Sequence, residues 1–365
     1  MTSVDRRNML IGLHECPGLG WKRIEGILRK EKQWTEACHF QAGDWMECGL
    51  ESELALRLAE EFDEAWIETR LSLMERSGVQ AITIFDPEYP VLMKETAKPP
   101  WVLYAIGDPE LLNRVTIAMI GTRIPTAYGR RVAEDLTEAL CNEGAVIVSG
   151  LARGIDGICH EAAIRCNGST IAVLGTAIDT VYPSEHSGLY RMIAQRGLVL
   201  SEYPIGTKSH PGLFPQRNRI IAGISRGAVV VEADARSGSL ITADQALEAG
   251  RDVFAVPGPI TSPKSRGTLG LLKQGAKIVT EPSDILEEYE QELKGRGTKS
   301  RSLLAINELT NEERKIYHML EQEDFTFDRL REQTMWEFGH LHSVLLSLIM
   351  KKAVVQLPGS VYKII

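Results

Sequence analysis

The chain has 365 residues, of which 44% are hydrophobic and 25% charged, and its formal net charge at pH 7 is -8. This composition allows more than one globular core and argues against a surface coated throughout by nucleic acid. The N-terminal segment has no signal-peptide pattern and no run of about 18 apolar residues occurs, so we expect a cytoplasmic protein without a membrane span. The six cysteines form no Cys-x-x-Cys pair, which predicts reduced, mostly buried thiols.

Residues 1–80 lack clear strand patterns and are predicted to form a helical domain. The segment LIGLHECPGLGWKRIEGILRK (10–30) has the order helix, Pro-Gly-x-Gly turn, helix. This order is typical of a helix-hairpin-helix, whose turn amides can hold a DNA phosphate. A simple packing module is the alternative, because Glu25 and Glu31 would repel phosphate.

Residues 81–290 alternate short apolar runs with amphipathic segments. Runs of this kind are typical of strands covered by helices on both faces, and the alternation predicts a doubly wound, mostly parallel, Rossmann-like α/β sheet. We expect strands at residues 81–85, 115–121, 145–150, 170–175, 198–203, 228–233, 252–258 and 276–280.

The C-terminal part of the sequence indicates a separate small domain. A charged stretch with Gly and Ser predicts a linker at residues 291–304, and residues 305–365 offer three helices and then a hairpin turned by Pro358 and Gly359. This is the order of a winged helix. The third helix has little basic charge before Lys351, which argues against recognition of a DNA major groove.

Several predicted strands are followed by turns that suit an anion. Ligands of open α/β sheets bind outside the carboxyl ends of the strands, where glycine-rich turns and helix N-termini present free amides. Residues of this type are Gly121, Thr122, Arg123, Ser149, Gly150, Arg153, Ser237, Gly238 and Ser239, with Lys264 and Arg266 in a further loop.

One window, Ile205–Val231, contains no Asp or Glu although the whole chain is acidic. It includes Lys208, Phe214, Arg217 and Arg219. Arginine presents forked donors that match phosphate oxygens, and an exposed aromatic ring can stack on a base. The alternative interpretation makes Phe214 a core anchor and the arginines a solvated helix face.

Acidic residues and known motifs give little support for catalysis. Asp156 is interpreted as a helix cap, and His160, one helical turn later, as its local hydrogen-bond partner rather than as half of a catalytic dyad. The sequence has no G-x-G-x-x-G and no G-x-x-x-x-G-K-[ST]. Dinucleotide binding and ATP-driven work are therefore disfavoured, and no cofactor or metal is expected.

The motifs GTRIPTAYGRR, IVSGLARGIDGICH, FPQRNRIIAGISRGAVVVEA and RSGSLITADQALEAGRDVFAVPGPI follow one another in this order and resemble those of the DNA processing protein A (DprA/Smf) family. The resemblance covers residues 85–290. It implies a non-catalytic protein that binds single-stranded DNA, protects it and loads the RecA recombinase onto it during natural transformation. It also implies a homodimer formed through the Rossmann-like domain, a sterile-alpha-motif-like N-terminal domain and a winged-helix-like C-terminal domain.

The family pattern assigns the DNA contacts to Arg123, Phe214, Arg217 and Arg219. Two departures from it occur: members often carry a lysine before the Phe-Pro pair, where this chain has Pro211–Leu213, and an asparagine where this chain has Leu269. The predicted DNA-binding set is Gly121, Thr122, Arg123, Ser149, Gly150, Arg153, Lys208, Phe214, Arg217, Asn218, Arg219, Ser237, Gly238 and Ser239.

Two other classes of function are alternatives. A nucleotide phosphoribohydrolase could use Glu232, Asp156 or Asp179 as its carboxylate, but the P-G-G-x-G-T-x-x-E motif of such enzymes is absent. A protein-interaction scaffold would leave the anion-binding turns unexplained.

Overall fold

The computed structural model describes residues 5–29, 34–293, 310–320, 325–351, 353–357 and 360–364. The chain divides into two compact units, Met1–Tyr289 and Glu290–Ile365. The predicted domain boundary at residue 80 lies inside the first unit and stays a prediction. The predicted linker, 291–304, lies outside the described residues from 294 onward.

The N-terminal part of the first unit is helical, as the sequence predicts. Asp5 caps the first helix by accepting from the amide of Asn8 at 2.7 Å, and the left-handed Gly18 (φ +93) turns the chain between the first two helices. The bounds are α1 (Arg6–Glu15), α2 (Trp21–Leu28), a 3-10 turn (Trp34–His39), α3 (Ala42–Glu47), α4 (Ser52–Glu61) and α5 (Glu64–Arg76).

The rest of the first unit is built on a mixed sheet of nine strands in the order β1-β2-β6-β5-β4-β3-β7-β8-β9. From β6 to β9 every neighbouring pair is parallel, whereas β1 and β2 run antiparallel to their neighbours. The strands are β1 (Gln80–Thr83), β2 (Val102–Gly107), β3 (Thr116–Ile120), β4 (Val146–Ser149), β5 (Ser169–Leu174), β6 (Leu198–Ser201), β7 (Gly227–Val230), β8 (Asp252–Ala255) and β9 (Lys277–Ile278).

Two strand predictions were wrong in detail. No strand was predicted at β2, and the predicted strand at 81–85 corresponds to β1, which pairs with β2 in antiparallel register. A parallel pair needs a crossover connection, usually a full helix, but between β1 and β2 only the short helix α6 (Val91–Lys94) occurs. The predicted strand at 276–280 is reduced to Lys277 and Ile278.

Helices cover both faces of the sheet. Along β5, Ile171 and Val173 join one hydrophobic core, whereas Ala172 and Leu174 join the core on the other face, as the alternation of side chains requires. These helices are α7 (Ala127–Asn142), α8 (Ile155–Arg165), α9 (Ser187–Arg196), α10 (Leu213–Gly223), α11 (Gly238–Glu248), α12 (Arg266–Lys273) and α13 (Ser283–Leu286). Short 3-10 turns occur at Pro109–Asn113, Ser184–His186, Pro263–Ser265 and Glu287–Tyr289.

The second unit has the element order of a winged helix. Its core contains Ile316, Leu330 and Leu345, one from each helix. The elements are α14 (Asn311–Leu320), β10 (Phe325–Thr326), α15 (Phe327–Thr334), α16 (Phe338–Met350), β11 (Val354–Leu357) and β12 (Val361–Ile364), with sheet order β10-β12-β11. The predicted turn residues Pro358 and Gly359 lie outside the described residues. Lys351 donates to Glu313 at 2.8 Å.

The six cysteines and the helices test two predictions made from composition. No disulfide joins the six cysteines, but only Cys16 and Cys159 are buried and the other four are half-buried, so "mostly buried" was wrong. Among the described helices none combines the length and apolarity needed to cross a bilayer.

Candidate nucleic-acid interface

The carboxyl ends of the parallel strands lie side by side along one edge of the sheet. Neighbouring strands are about 4.8 Å apart, so β6, β5, β4 and β3 spread their ends over about 15 Å. We call this edge the sheet rim and define it as residues 121–126, 150–154, 175–182, 202–203, 213–219 and 231–239. The chain connections change direction between β3 and β7, which is where ligands of open α/β sheets usually bind.

At this change of direction the protein supplies its own anion. The carboxylate of Glu232, just after β7, accepts from the amide of Thr126 at 2.8 Å and from its hydroxyl at 2.6 Å. It thereby occupies the N-terminus of α7, where a Rossmann fold would place a dinucleotide phosphate, and a Cβ at Gly129 would collide with it. The position of the Glu232 carboxylate is therefore consistent with the absence of a G-x-G-x-x-G motif from the sequence.

Arg123 stands next to this filled position and is exposed. Thr122, before it, is buried and fixed, because its amide donates to the carbonyl of Glu232 at 2.7 Å and its hydroxyl accepts from Lys264 at 3.3 Å. In the described part of the chain no carboxylate forms an ion pair with Arg123. Its guanidinium is therefore available to an anion in solution.

The turn after β4 is stabilised by Asp156 rather than left open. Asp156, on the first turn of α8, is buried and accepts from the amide of Gly150 at 3.1 Å. Burial raises the pKa of its carboxyl group, and the nearby Arg217 guanidinium opposes that shift. The predicted helix cap was wrong, because the N-cap of α8 is Gly154 and no side chain caps it. Asp156 is structural in another way, since its carboxylate occupies the Gly150 amide.

The predicted hydrogen bond between Asp156 and His160 was wrong. His160 is fully buried, with Nδ1 2.7 Å from the hydroxyl of Thr170, and Nε2 accepts from the amide of Leu151 at 3.4 Å. Burial lowers the pKa of His160 to about 3. The imidazole is thus a neutral structural group beneath the turn, because its acceptor nitrogen is satisfied by a backbone amide.

Arg217 lies inside the sheet rim, on the second turn of α10, and is only 5% exposed. Its guanidinium donates to the carbonyl of Gly150 at 2.6 Å and to the carbonyl of Val173. Burial lowers its pKa to about 10, while the charge of Asp156 opposes this shift. Arg217 therefore ties the ends of β4 and β5 to α10, and the expectation of a solvated arginine face fails here.

Arg219 also has internal partners. It donates to both carboxylate oxygens of Glu202, at the end of β6, and to the carbonyl of Lys98 at 2.7 Å. The side chain of Arg219 is 17% exposed, so an incoming phosphate could reach it only in competition with Glu202. The adjacent Asn218 accepts from the Nε of Arg217 at 3.3 Å.

An aromatic pair lies over the end of β5. The rings of Phe214 and Tyr182 have centroids 5.2 Å apart, and Tyr182 is 53% exposed. Phe214 packs directly against Gly175, where a Cβ would lie 2.6 Å from its ring. Sequence reasoning missed Tyr182, although its position before Pro183 in a turn after a strand was a usable signal.

The remaining predicted residues lie at different places on the rim or near it. Arg153 is exposed and paired with Glu185, and Lys208 is exposed in the segment before α10, without an ion pair to any described carboxylate. Ser237 caps α11 by accepting from the amide of Ser239 at 3.3 Å, beyond Glu232. The buried hydroxyl of Ser149 donates to the carbonyl of Met119 at 2.6 Å and faces the interior.

The strand order brings the main predicted residues into one series. Arg219 lies at β6, Phe214 at β5, Arg217 between β5 and β4, and Arg123 at β3. Arg123 is also close enough to Arg217 to lower its pKa. The series defines a Rossmann-like protein whose strand ends combine an exposed cation, Arg123, and the partly buried Arg219 with an aromatic pair, a surface suited to an extended polyanion.

Comparison with known proteins identifies the family. Residues 80–290 match the model of DNA recombination-mediator protein A. DNA processing protein DprA of Bacillus subtilis is 46% identical over 219 residues, which cover 60% of this chain and 74% of that protein. Protein Smf of Escherichia coli is 42% identical over 250 residues, covering 68% of this chain and 67% of that protein. The chain belongs to the DNA recombination-mediator protein A (DprA/Smf) family.

Solved structures agree with this assignment. DNA processing protein A of Streptococcus pneumoniae superposes with a TM-score of 0.69 at 36% identity, covering 78% of this chain and 98% of that one. The homologue from Helicobacter pylori, described for its single-stranded DNA binding mode, gives a TM-score of 0.53 at 33% identity and covers 58% of this chain and 96% of that one.

Proposed function

We propose that this protein binds single-stranded DNA along the sheet rim. The observation that carries the proposal is the exposed Arg123 at the end of β3, which pairs with no described carboxylate and lies in one series with Arg219 and the Tyr182–Phe214 pair. An extended strand can meet these groups in turn, because its phosphates repeat along one direction. The H. pylori homologue supports the same ligand class.

The rim suits a single strand better than a duplex. Aromatic side chains gain about 1–3 kcal/mol by stacking on an exposed base, and bases are accessible in this way only when unpaired. The rim cations Arg123, Arg153 and Arg219 lie on turns or on the second turn of a helix. These positions fit the tracking of a phosphate backbone rather than insertion of a helix into a groove.

We further propose that binding, not catalysis, is the function. The carboxylates that an N-glycosidic hydrolase would need are hydrogen-bonded within the protein: Asp156 to the amide of Gly150, Glu232 to Thr126, and Asp179 to the amide of Gly206 at 3.3 Å. Following the family resemblance, the bound DNA is protected and passed to RecA during natural transformation, and the protein acts as a homodimer.

Salt-titrated binding of labelled single-stranded and duplex oligonucleotides tests the proposal. Single-stranded DNA is expected to bind with submicromolar affinity and little sequence preference, and duplex much more weakly. If Arg123, Arg153, Arg219 and Lys208 each neutralise a phosphate, a plot of log affinity against log salt has a slope of about -3, because each contact to a single strand contributes about -0.7. Fluorescence anisotropy measures both quantities.

Addition of RecA and an assay for release of free base extend this experiment. RecA added to the complex should form filaments faster than on DNA coated by a generic single-strand binder. Equal affinity for duplex and single strand would contradict the proposal, and release of free base from a nucleoside monophosphate would favour the hydrolase.

A further inference from the structure

Two tryptophans and a lysine lie beside the end of β6. The rings of Trp21, the first residue of α2, and Trp101, which precedes β2, stack with centroids 5.3 Å apart and an interplanar angle of 22°. The Trp21 indole N–H donates to the carbonyl of Pro99 at 2.6 Å, and that of Trp101 donates to the carbonyl of Trp21 at 3.0 Å. These bonds fix the start of α2 against the segment before β2.

Lys98 connects these tryptophans with the sheet rim. Its ammonium lies 5.6 Å from the centroid of the Trp21 ring, and its backbone carbonyl accepts from Arg219 at 2.7 Å. The side chain is exposed, and no carboxylate within the described ranges forms an ion pair with it. Lys98 therefore places a further positive charge next to Arg219, on the side of Arg219 that faces away from Arg123.

The first turn of α2 continues this positive surface. It contains no acidic residue, and Lys22 is exposed on it. Glu25, one turn further along, is paired with Arg29 at 3.1 Å, which offsets part of the repulsion that the sequence alone suggested. The helix dipole adds a partial positive charge at the same end.

We propose that a bound single strand continues past Arg219 onto Lys98 and the first turn of α2, so that the N-terminal helices lengthen the DNA-binding surface. This inference rests on the proposed function. It assigns to Lys98 a phosphate contact and to Trp21 and Trp101 the positioning of that lysine. The occupant is the same DNA strand, because the surface adjoins the rim and carries the same sign of charge.

The length dependence of binding distinguishes this extension from the rim itself. We expect Lys98→Ala to weaken an oligothymidine of about 16 nucleotides about fivefold and to leave one of about 6 nucleotides unchanged, both lengths being usual for single-strand sites. The short strand fits on the rim and does not need the extension. Arg123→Ala should weaken both lengths, and Lys98→Arg should restore the parent affinity for the long strand.

Lys273 provides the matched control. It is exposed on the last turn of α12, which leads into the start of β9 at the opposite edge of the sheet, and Lys273→Ala removes the same charge. Its affinity for both oligonucleotides should equal that of the parent. Equal effects of Lys98→Ala on the two lengths, or no effect on either, would overturn the extension while Arg123→Ala still reported on the rim. A parent protein that binds neither oligonucleotide would overturn both proposals.

Discussion

Replacement of Arg217 with methionine is expected to lower the free energy of unfolding by about 3–5 kcal/mol, the usual loss when removal of a buried cation leaves a buried carboxylate nearby without its opposing charge. The substitution leaves the carbonyls of Gly150 and Val173 without this donor and the buried carboxylate of Asp156 without its neighbouring positive charge. Methionine has a similar length, so loss of volume contributes little. Urea denaturation followed by circular dichroism measures the change.

The double variant Asp156→Asn/Arg217→Met provides the control. It removes the unbalanced carboxylate but keeps an acceptor for the Gly150 amide, so part of the lost stability should return. If Arg217→Met were as stable as the parent, Arg217 would not be the structural tie between β4, β5 and α10. Its role would then be a direct contact with DNA alone.

Arg123→Ala, unlike Arg217→Met, is expected to weaken DNA binding without lowering the stability of the protein. The side chain is exposed and pairs with no described carboxylate, so its loss should leave the free energy of unfolding unchanged. Affinity for single-stranded DNA should fall about tenfold, equivalent to about 1.4 kcal/mol. The slope of log affinity against log salt should become shallower by about 0.7, because one phosphate contact is lost.

Arg196→Ala is the matched control for this experiment. Arg196 is exposed at the end of α9, just before the start of β6 and thus at the opposite edge of the sheet, and it donates to Asn167 at 2.8 Å. The variant should keep the affinity and the salt slope of the parent. A loss in Arg196→Ala as large as that in Arg123→Ala would mean that net charge, rather than the rim, determines binding.

The central sheet was predictable because each of its strands alternates with a helix of crossover length. Regular βα units constrain β3 to β8 to a parallel arrangement. The β1–β2 pair was not predictable in the same way, because its direction depends on pairing between β2 and β6, whose residues Tyr104 and Ser201 are far apart in sequence. A short apolar run does not reveal the direction of its neighbour.

The candidate site was only partly predictable for a related reason. The turns and the exposure of Arg123 follow from local sequence, since turns after strands lie at the surface. The burial of Arg217 depends on the carbonyls of Gly150 and Val173, which are 67 and 44 residues away. An arginine in a basic window is ordinarily exposed, and nothing local indicates such distant acceptors. The same holds for the contact between Arg219 and Lys98.

Hydrogen exchange of the full chain, with and without a saturating single-stranded oligonucleotide, tests most directly whether the sheet rim is the binding surface. We predict slower amide exchange in residues 121–126, 150–154 and 213–219 of the complex. Exchange should be unchanged in residues 143–145 and 166–168, which lie at the starts of β4 and β5 on the opposite edge. Protection confined to the opposite edge or to the second unit, with the rim unchanged, would contradict the account.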